Sequence, residues 1–328
     1  MADNKQNPTA SDMASRYADK IEGKTLLVTG VSPKSLAETF LLNIVPFNPS
    51  ELIISGRNEV KMQQVADKLR STNPRVKIRL LVFDISSLAA VRTAAEEVNG
   101  WPDVPYIDIL VNSAGILAKP WATSADGFEM QWATNYLGHF LFTNLLMNKI
   151  LAAPAPRIIT LTSEGHRLSP VRFGDLNFRE GESYHPWSAY GQSKTATSLM
   201  AISLAEKLGS KTNLLVFALN PGTSPSSCLY DGLDWQADYA IMQELDRVLG
   251  NSEGWISGHN LLTVDECAAA YVHLAFDPEL AKHNGMYIDR FDVGDPFVHV
   301  LKPWATSHTE AERLWKLSEQ LVRQTFDY

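Results

Sequence analysis

Short apolar runs recur along the chain and are separated by longer stretches of mixed polarity. The runs show little internal alternation of polar and apolar residues, and each ends in, or is directly followed by, a small or polar residue such as glycine, asparagine or aspartate. This pattern is typical of strands buried on both faces of a parallel sheet. The runs are KTLLVTG at 24–30, ELIIS at 51–55, VKIRLLVF at 76–83, IDILVN at 107–112, RIITL at 157–161, NLLVFAL at 213–219 and a last one at 285–288.

Between these runs, hydrophobic residues recur at helical spacing. The predicted helices cover residues 13–21, 35–44, 59–69, 87–98, 127–151, a stretch around Tyr190 and Lys194, 264–276 and 309–322. Because strand and helix alternate, the sequence predicts an α/β fold with one doubly wound parallel sheet, right-handed crossovers and helices on both faces. We expect about seven strands in the order 3-2-1-4-5-6-7.

Three segments fall outside this alternation. Residues 1–20 are predicted to be a polar N-terminal extension, unordered over 1–12, and residues 21–328 the single domain. Residues 300–328 form its tail, which contains the last predicted helix. Residues 223–260 are predicted to be a lid over a bulky apolar substrate, although their apolar side chains equally fit core packing. Those side chains are Leu229, Tyr230, Leu233, Trp235, Tyr239, Ile241 and Met242.

Composition narrows the class of protein. The chain has 328 residues, of which 45% are hydrophobic and 20% charged, as in an ordinary globular protein. Its net charge of −8 offers no basic surface for nucleic acid. Cys228 and Cys267 form no metal-ligand spacing and argue against a disulfide framework. No apolar run reaches the roughly 18 residues that cross a bilayer, and the first residues lack the apolar core of a signal peptide. We therefore expect a cytoplasmic protein without a transmembrane segment.

Tyr190 and Lys194 are four residues apart and therefore lie on one face of their predicted helix. A lysine ammonium at that distance favours a phenolate, so we expect the pKa of Tyr190 to fall from about 10 toward neutrality. A tyrosine with such a pKa can exchange a proton with an alcohol or a ketone. The alternative is an ordinary amphipathic helix, because this spacing is short and common.

The turn after the first strand has some features of a phosphate-binding turn. Small residues there let backbone N–H groups at a helix start approach a pyrophosphate. Gly30 meets this need, whereas Lys34, Ser35 and Ala37 stand in for the later glycines. Their side chains are expected to crowd the cofactor, which leaves weakened or selective binding open. The predicted contacts in this turn are Gly30, Ser32, Lys34, Ser35 and Leu36.

The end of the second strand indicates which dinucleotide would bind. A carboxylate there would bind the ribose hydroxyls of NAD, but the chain has Arg57, whose guanidinium suits a 2′-phosphate. Lys34 adds a second positive charge, so we favour NADP(H), although Arg57 also fits a solvated loop position. The remaining predicted contacts follow later strand ends or Arg57 itself, and they are Asn58, Asp84, Ile85, Asn112, Ala114, Gly115, Pro221, Gly222 and Thr223.

Ser163 follows the fifth strand and completes a set of proton donors. Its hydroxyl and that of Tyr190 could both bind a substrate carbonyl, with Lys194 tuning the tyrosine, as hydride transfer to a ketone requires. Asn135 lies inside a predicted helix, where asparagine is disfavoured. A water on its backbone carbonyl could relay protons to Lys194. The alternative for Asn135 is a polar residue satisfied within the core.

These landmarks together resemble the short-chain dehydrogenase/reductase family. The matching residues, in family order, are Thr29-Gly30, Asp84, Asn112 to Gly115, Asn135, Ser163, Tyr190 with Lys194, and Pro221-Gly222. The resemblance implies a Rossmann fold, a nicotinamide cofactor and a catalytic tetrad of asparagine, serine, tyrosine and lysine. Residues 135–140 and 163–166 are similar to the retinol-dehydrogenase and WW-domain-oxidoreductase branch. Residues 29–33 and 302–318 are similar to its fungal members, many of which belong to secondary metabolism.

The expected activity is therefore NADP(H)-dependent interconversion of a ketone and a secondary alcohol on a bulky lipophilic small molecule, such as a terpenoid, meroterpenoid or polyketide. Two alternatives stay open: a non-redox isomerase or cyclase that uses Tyr190 and Ser163 as acid and base, and a cofactor-sensing binding protein. The intact tetrad argues against the second. The resemblance also implies a homodimer paired through the helices of Asn135 and Tyr190, unless the tail covers that face.

Overall fold

The computed structural model describes residues 7–251, 261–297 and 301–328. Within them, one sheet contains eight strands in the order β3-β2-β1-β4-β5-β6-β7-β8. The strands are β1 Thr25–Thr29, β2 Glu51–Gly56, β3 Lys77–Val82, β4 Ile109–Asn112, β5 Arg157–Leu161, β6 Leu215–Asn220, β7 Tyr287–Asp289 and β8 Asp292–Val293. The predicted doubly wound order is confirmed, and the sheet has one strand more than predicted.

The added strand, β8, is the only antiparallel member of the described sheet. Its residues Asp292 and Val293 pair with Asp289 and Ile288 of β7. Two residues are too few to produce a hydrophobic pattern, which is why the sequence does not indicate this strand.

Twelve α-helices surround the sheet in the described residues. They are α1 Ala10–Arg16, α2 Ala18–Ile21, α3 Leu36–Ile44, α4 Glu59–Thr72, α5 Leu88–Gly100, α6 Met130–Trp132, α7 Gly138–Leu145, α8 Met147–Leu151, α9 Pro186–Leu204, α10 Trp235–Val248, α11 Val264–Phe276 and α12 His308–Val322. A π-helical turn at Ala133–Leu137 and a 3₁₀ turn at Glu164–Leu168 complete the elements near the site.

Successive residues of each strand point to opposite faces of the sheet, and both faces are covered. Leu27, for example, packs with α5, α7, α9 and α12 in one core. Its neighbours Leu26 and Val28 pack with α1, α3, α4 and α11 in the other. The continuous apolar runs of the central strands follow from this double burial, because neither face of β1, β2, β4, β5 or β6 meets water.

Four central strands end at one edge of the sheet. Val111 of β4 pairs with Val28 of β1 and with Ile159 of β5, and Leu161 pairs with Leu219 of β6. The residues that follow these strands are therefore neighbours although they are far apart in sequence. Strand order reverses between β1 and β4, and ligands of such sheets bind in the crevice at that point.

The helix predicted over 127–151 is shorter and interrupted. It begins at Met130, and the π-helical turn divides it before Gly138. Gly138 lies against the loop after β3, since a Cβ atom built on it would be 1.9 Å from the Ile85 carbonyl oxygen. Asn135 within the π turn bonds to residues outside the helix, and π turns of this kind often occur at functional sites.

The N-terminal helix is part of the packed structure. It begins at Ala10, within the stretch predicted to be unordered, and Thr9 caps it by accepting a hydrogen bond from the Asp12 backbone N–H. Met13 and Tyr17 are buried against α3 and α11, and the Tyr17 hydroxyl donates to Asp277 at 2.8 Å. Residues 1–6 of the predicted extension lie outside the described residues.

The tail helix α12 covers α9 and the start of α7. Trp315 is 3% exposed and meets Phe140 edge-to-face, with ring centroids 5.0 Å apart. The Ser318 and Tyr136 hydroxyls are 2.6 Å apart, and Ser203 on α9 donates to the Ala311 carbonyl at 3.0 Å. The part of this face under α12 is therefore not open to a second copy of the chain.

Among the helices that the structure describes, none combines the length and the apolar character needed to cross a bilayer. The described residues also bring together no group of three or more histidine, cysteine, aspartate or glutamate side chains suited to a metal ion.

Candidate active site

A cleft of about 690 Å³ runs along the carboxyl edge of β1, β4, β5 and β6. It extends from the turn after β1 and the end of β2 to the middle of α9. Sixteen of the residues predicted as site residues line it, and they are Gly30, Ser32, Lys34, Ser35, Leu36, Arg57, Asn58, Asp84, Ile85, Ala114, Gly115, Ser163, Tyr190, Lys194, Pro221 and Gly222. The predicted residues Asn112, Asn135 and Thr223 are not among the described lining residues.

The turn after β1 approaches the loop after β4 very closely. Gly30 has a φ of 76°, and a Cβ atom on it would lie 2.5 Å from the Ala114 Cα atom. Thr29 holds the same loop, since its hydroxyl oxygen accepts from the Ser113 and Ala114 backbone N–H groups at 2.9 and 3.0 Å. Only a residue without a side chain fits at Gly30, because the backbone of Ser113 and Ala114 packs directly against it.

The substitutions later in this turn are accommodated in different ways. Lys34 has a φ of 65°, the left-handed conformation that glycine adopts without cost. Ser35 is the N-cap of α3 and accepts from the Glu38 backbone N–H, whereas Ala37 is buried in the core below the turn. The prediction that Ala37 crowds the cofactor is therefore wrong. Lys34 keeps the backbone shape that glycine would give the turn, and it adds a positive charge.

One end of the cleft carries the predicted positive charge. Lys34 and Arg57 line it, and so does Lys61, which the sequence analysis missed. All three side chains are exposed, and none forms a salt bridge with the residues that the structure describes. Lys61 lies in the first turn of α4, three residues after the cap Asn58. Residues three apart share one face of a helix, so the predicted contact at Asn58 could have indicated Lys61 as well.

The other end of the cleft brings Ser163, Tyr190 and Lys194 together. The side chains of Ser163 and Tyr190 lie close together, since a Cβ atom on Gly165 would be 3.3 Å from Ser163 Oγ and 2.5 Å from Tyr190 Cε1. The Ser163 hydroxyl oxygen accepts from the Gly165 backbone N–H at 3.0 Å. The Lys194 ammonium donates to the Leu161 carbonyl at 2.6 Å and lies 5.6 Å from the Tyr190 ring centre. Tyr190 is 5% exposed and Lys194 6% exposed, so these polar groups are held in a largely dry environment.

Burial sets the titration of this pair. It raises the pKa of Tyr190 to about 12, and the hydrogen bond from Ser163 offsets only part of the shift. Burial also lowers the pKa of Lys194 to about 7. The prediction that Lys194 lowers the pKa of Tyr190 is wrong for this arrangement. Burial disfavours the phenolate, and Lys194, whose ammonium bonds to the Leu161 carbonyl, does not offset this effect. With a pKa of about 12, Tyr190 is neutral at ordinary pH.

Asn135 does not line the cleft but joins two segments beside it, the loop at Ile116 and helix α9 at Ser193. Its side-chain amide accepts from the Ile116 backbone N–H at 2.8 Å and donates to the Ile116 carbonyl at 3.0 Å and to the Ser193 hydroxyl at 2.9 Å. Its backbone carbonyl faces His139 Nδ1 at 3.3 Å and the Thr197 hydroxyl at 3.5 Å. Two protein groups thus lie within hydrogen-bonding distance of the carbonyl that the predicted water relay uses, and the relay stays a prediction.

Asn112 and Thr223 are also turned away from the cleft. The Asn112 amide donates to the Thr143 hydroxyl at 2.8 Å beneath the sheet edge. Thr223 pairs with Leu261 in a short bridge, and its side chain hydrogen-bonds the Tyr230 hydroxyl. The sequence identified the correct strand ends but not the direction of each side chain, which depends on the partners on neighbouring elements.

Further residues that were not predicted as cofactor contacts or catalytic residues also line the cleft. They are Gln64, Lys119, Thr134, Ser224, Ser227, Cys228, Leu229, Tyr230 and Tyr271. The Cys228 backbone N–H donates to the Lys34 carbonyl at 3.1 Å, so the first part of the lid touches the turn after β1. The sequence gives no sign that Tyr271 lines the cleft, because its helix α11 is apolar almost throughout.

The predicted lid is partly a wall of this site. Met242 is buried with Trp187 and Tyr190, and Leu229, Tyr230, Leu233 and Tyr239 pack against that cluster. Trp235 and Ile241 are 38% and 40% exposed, so they are not part of the wall. Residues 252–260 of the predicted lid lie outside the described residues.

The strand order and the cleft at the switch point define a Rossmann-type protein. A family model described as "short chain dehydrogenase" matches residues 24–174. Retinol dehydrogenase 13 of Mus musculus is 33% identical over 92% of this chain and 84% of its own length. Short-chain dehydrogenase/reductase prx1 of Penicillium roqueforti is 35% identical over 96% of this chain and 90% of its own. The chain therefore belongs to the short-chain dehydrogenase/reductase family of oxidoreductases, as its motifs indicate.

Solved structures agree on the fold. An uncharacterised protein from Mycobacterium Paratuberculosis has a TM-score of 0.71 at 26% identity, and the match covers 98% of this chain and all of that one. A structure described as a short chain dehydrogenase from Escherichia coli CFT073 complexed with NADPH has a TM-score of 0.59 at 20% identity, covering 83% of this chain and 98% of that one. The second likeness supports the fold alone.

The buried Lys194 predicts a specific pH dependence of stability. Its pKa is about 7 in the folded chain and 10.5 without perturbation. Between these values the unfolded state binds more protons, so in nucleotide-free protein this group makes the free energy of unfolding rise with pH. The rise should be visible from pH about 7 to about 9 in urea titrations and absent in Lys194→Met. Lys282→Met, at a side chain that is 66% exposed, should keep the wild-type slope. Equal slopes in all three proteins would contradict the assignment.

Proposed function

We propose that this protein is an NADP(H)-dependent oxidoreductase that interconverts a ketone and a secondary alcohol on a bulky lipophilic substrate. The observation that carries the proposal is that the neighbouring side chains of Ser163 and Tyr190 line one end of a dinucleotide-sized cleft together with a buried Lys194. Membership of an oxidoreductase family supports the redox part of the proposal.

The residues of the cleft fit a nicotinamide dinucleotide. Gly30 and Ala114 line the cleft between its two ends, with the cations Lys34, Arg57 and Lys61 at one end and the proposed proton donors at the other. When bound, the nicotinamide would supply or accept the hydride. In the proposed assignment, Pro221 and Gly222 would lie beside the nicotinamide, and Asp84 and Ile85 would lie beside the adenine.

The chain's own groups handle the oxygen and its proton. The Ser163 hydroxyl binds the substrate oxygen and orients it, and the neutral Tyr190 hydroxyl donates the proton as the carbonyl becomes an alcohol. In the reverse direction the same oxygen of Tyr190 accepts that proton. When protonated, below its pKa of about 7, Lys194 places a cation 5.6 Å from the Tyr190 ring centre, which stabilises the negative charge that develops on the tyrosine. Asn135 is a positioning residue, because it ties the Ile116 loop to Ser193 on α9.

The apolar residues near Tyr190 support a lipophilic substrate. Leu229 and Tyr230 line the cleft, and they pack against a buried cluster that contains Met242, Trp187, Leu117 and Leu168. Apolar walls with few polar groups select large lipophilic ligands. The similarity to fungal oxidoreductases such as fscI of Fusarium equiseti, 32% identical over 65% of this chain, supports a place in secondary metabolism, on a terpenoid, meroterpenoid or polyketide.

The non-redox alternative gains no specific support from the first turn. Lys34 adopts the conformation of a glycine there, so the altered sequence does not by itself imply loss of the cofactor. Helix α12 packs on α9 and covers part of the face through which a homodimer was expected to pair. We therefore propose that a homodimer would use a surface that α12 leaves uncovered.

The first prediction tests the reaction. Incubation with NADPH and a panel of bulky lipophilic ketones should give alcohol together with a loss of nicotinamide absorbance. Tyr190→Phe should reduce kcat by at least about 10²-fold, because it removes the proton donor, while NADPH still binds with near-wild-type affinity. Substrate conversion without any change in nicotinamide absorbance would instead identify a non-redox enzyme. Full activity in Tyr190→Phe would remove the tyrosine from the mechanism.

The second prediction tests the choice of dinucleotide. Arg57→Ala should weaken NADPH binding by about 10- to 100-fold, the value of one charge-assisted hydrogen bond, and change NADH binding much less. Titration calorimetry with both nucleotides measures this difference. Arg70→Ala is the matched control, because Arg70 is an exposed arginine of α4 that pairs with Asp67. Equal losses for the two nucleotides would show that Arg57 does not contact a 2′-phosphate.

The third prediction tests the position of the tyrosine ring. A Cβ atom on Gly165 would lie 2.5 Å from Tyr190 Cε1, so Gly165→Ala must push the ring away from Ser163. A displacement of this size should lower kcat by about 10²-fold and leave NADPH affinity nearly unchanged. Gly174→Ala is the control, since a Cβ atom there meets nothing within 4 Å. Unchanged kcat in Gly165→Ala would show that the ring position does not limit the reaction.

A further inference from the structure

Lys34 has a backbone conformation that lysine rarely adopts. Its φ is 65°, in the left-handed region where a Cβ atom crowds the backbone and glycine is free of that strain. Such a residue keeps its conformation only when neighbouring groups hold it. Lys34 lines the cleft together with Arg57 and Lys61, so the contacts that hold it also shape the cationic end of the cleft.

The Glu38 side chain holds the N–H side of Lys34. One carboxylate oxygen of Glu38 accepts from the Lys34 backbone N–H at 2.6 Å, and the other accepts from Lys68 Nζ at 2.7 Å. Glu38 lies in the first turn of α3 and is 5% exposed. A hydrogen bond to a charged acceptor is shorter and stronger than one between neutral groups. A buried carboxylate thus fixes the peptide group that precedes Lys34.

This contact differs from that of an ordinary helix cap. Ser35 is the N-cap of α3, and a glutamate three residues after the cap commonly accepts from the backbone N–H of the cap residue. Glu38 instead accepts from Lys34, the residue before the cap, whereas the Ser35 backbone N–H donates to the Ser32 carbonyl at 3.1 Å. The Glu38 carboxylate therefore serves the left-handed residue of the turn.

The segment after β6 holds the carbonyl side of Lys34. The Lys34 carbonyl accepts from the Cys228 backbone N–H at 3.1 Å, and Cys228 lines the cleft with Leu229 and Tyr230. A change of φ at Lys34 would rotate the adjoining peptide groups and move its Cβ atom. The left-handed conformation therefore fixes both the bond to Cys228 and the point from which the Lys34 side chain extends.

We propose that Glu38 is a positioning residue for the dinucleotide, because its carboxylate holds Lys34 in the left-handed conformation that places the lysine ammonium against a phosphate group of NADP(H). Glu38 is not among the described residues that line the cleft, and Lys68 neutralises its charge, so the carboxylate does not itself meet the phosphates. The turn keeps the shape that a glycine would give it and gains a cation. The proposal rests on the proposed function, since it needs NADP(H) as the cofactor.

The test measures NADPH binding by titration calorimetry in wild type, Glu38→Ala, Lys34→Gly and the double variant Lys34→Gly/Glu38→Ala. When residue 34 is lysine, Glu38→Ala should weaken binding by about 10-fold, the ratio that corresponds to the free-energy cost of a left-handed residue. When residue 34 is glycine, which adopts this conformation unaided, the loss should be less than about 2-fold. The missing Lys34 ammonium does not affect the second comparison, because both of its proteins lack it.

Glu310→Ala is the matched control and should bind NADPH like wild type. Glu310 occupies the same place in α12, three residues after the N-cap Ser307, and its carboxylate pairs with Arg313. Glu38→Gln keeps an oxygen acceptor for the Lys34 N–H, so it should lose less affinity than Glu38→Ala and replaces that variant if it does not fold. Equal losses with lysine and with glycine at position 34, or tighter binding in Glu38→Ala, would overturn the proposal.

Hydrogen exchange provides a readout that needs neither nucleotide nor activity. In Glu38→Ala, the Cys228 amide should exchange about 10-fold faster, because the Lys34 carbonyl that accepts from it moves. Protection should return in Lys34→Gly/Glu38→Ala, and the central strands should keep theirs in every variant. Faster exchange that Lys34→Gly does not reverse would mean a general stabilising role and would overturn the proposal. A wild type that binds NADPH but reduces no ketone would refute the proposed reaction, whereas the expected binding ratios would still support the role of Glu38.

Discussion

The close approach of α9 to the turn after β5 is the constraint on which the site depends. A Cβ atom on Gly191 would lie 2.7 Å from the Ser169 backbone nitrogen and 2.9 Å from the Gly165 carbonyl oxygen. The Thr195 hydroxyl reinforces the contact through the carbonyls of His166 and Ser169, at 3.1 and 2.7 Å. Because the two backbones touch, a tyrosine on the helix reaches a serine at the strand end, and no flexible side chain has to span a gap.

Much of the fold follows directly from the sequence. Strands buried on both faces appear as continuous apolar runs, so β1, β2, β4, β5 and β6 were located within two residues. The candidate site residues follow these strands, and parallel strands bring their carboxyl ends to one edge. Ser163 and Gly30 could therefore be placed at the same edge although they are 133 positions apart in the chain. Membership of the family and the doubly wound sheet were both predicted correctly.

What the sequence did not reveal depends on contacts between distant elements. The π turn around Asn135 coincides with bonds to Ile116 and Ser193, which no local pattern encodes. Asn112 follows the correct strand but turns toward Thr143, and Tyr271 reaches the cleft from a helix that looks like plain core. Spacing of four residues correctly placed Tyr190 and Lys194 on one face. The direction of their pKa shifts, however, was set by burial and by the Leu161 carbonyl.

The packing of α12 has a consequence for the order in which the molecule is made. During synthesis the sheet and α9 leave the ribosome before residues 308–322, and domains begin to fold as they emerge. Until α12 arrives, Phe140 and the outer side of α9 have no cover, since Trp315 supplies it. The nascent protein therefore passes through a stage with an apolar strip exposed on an otherwise formed domain. Such strips are what chaperones bind, so cellular yield should depend on how fast the last helix is completed.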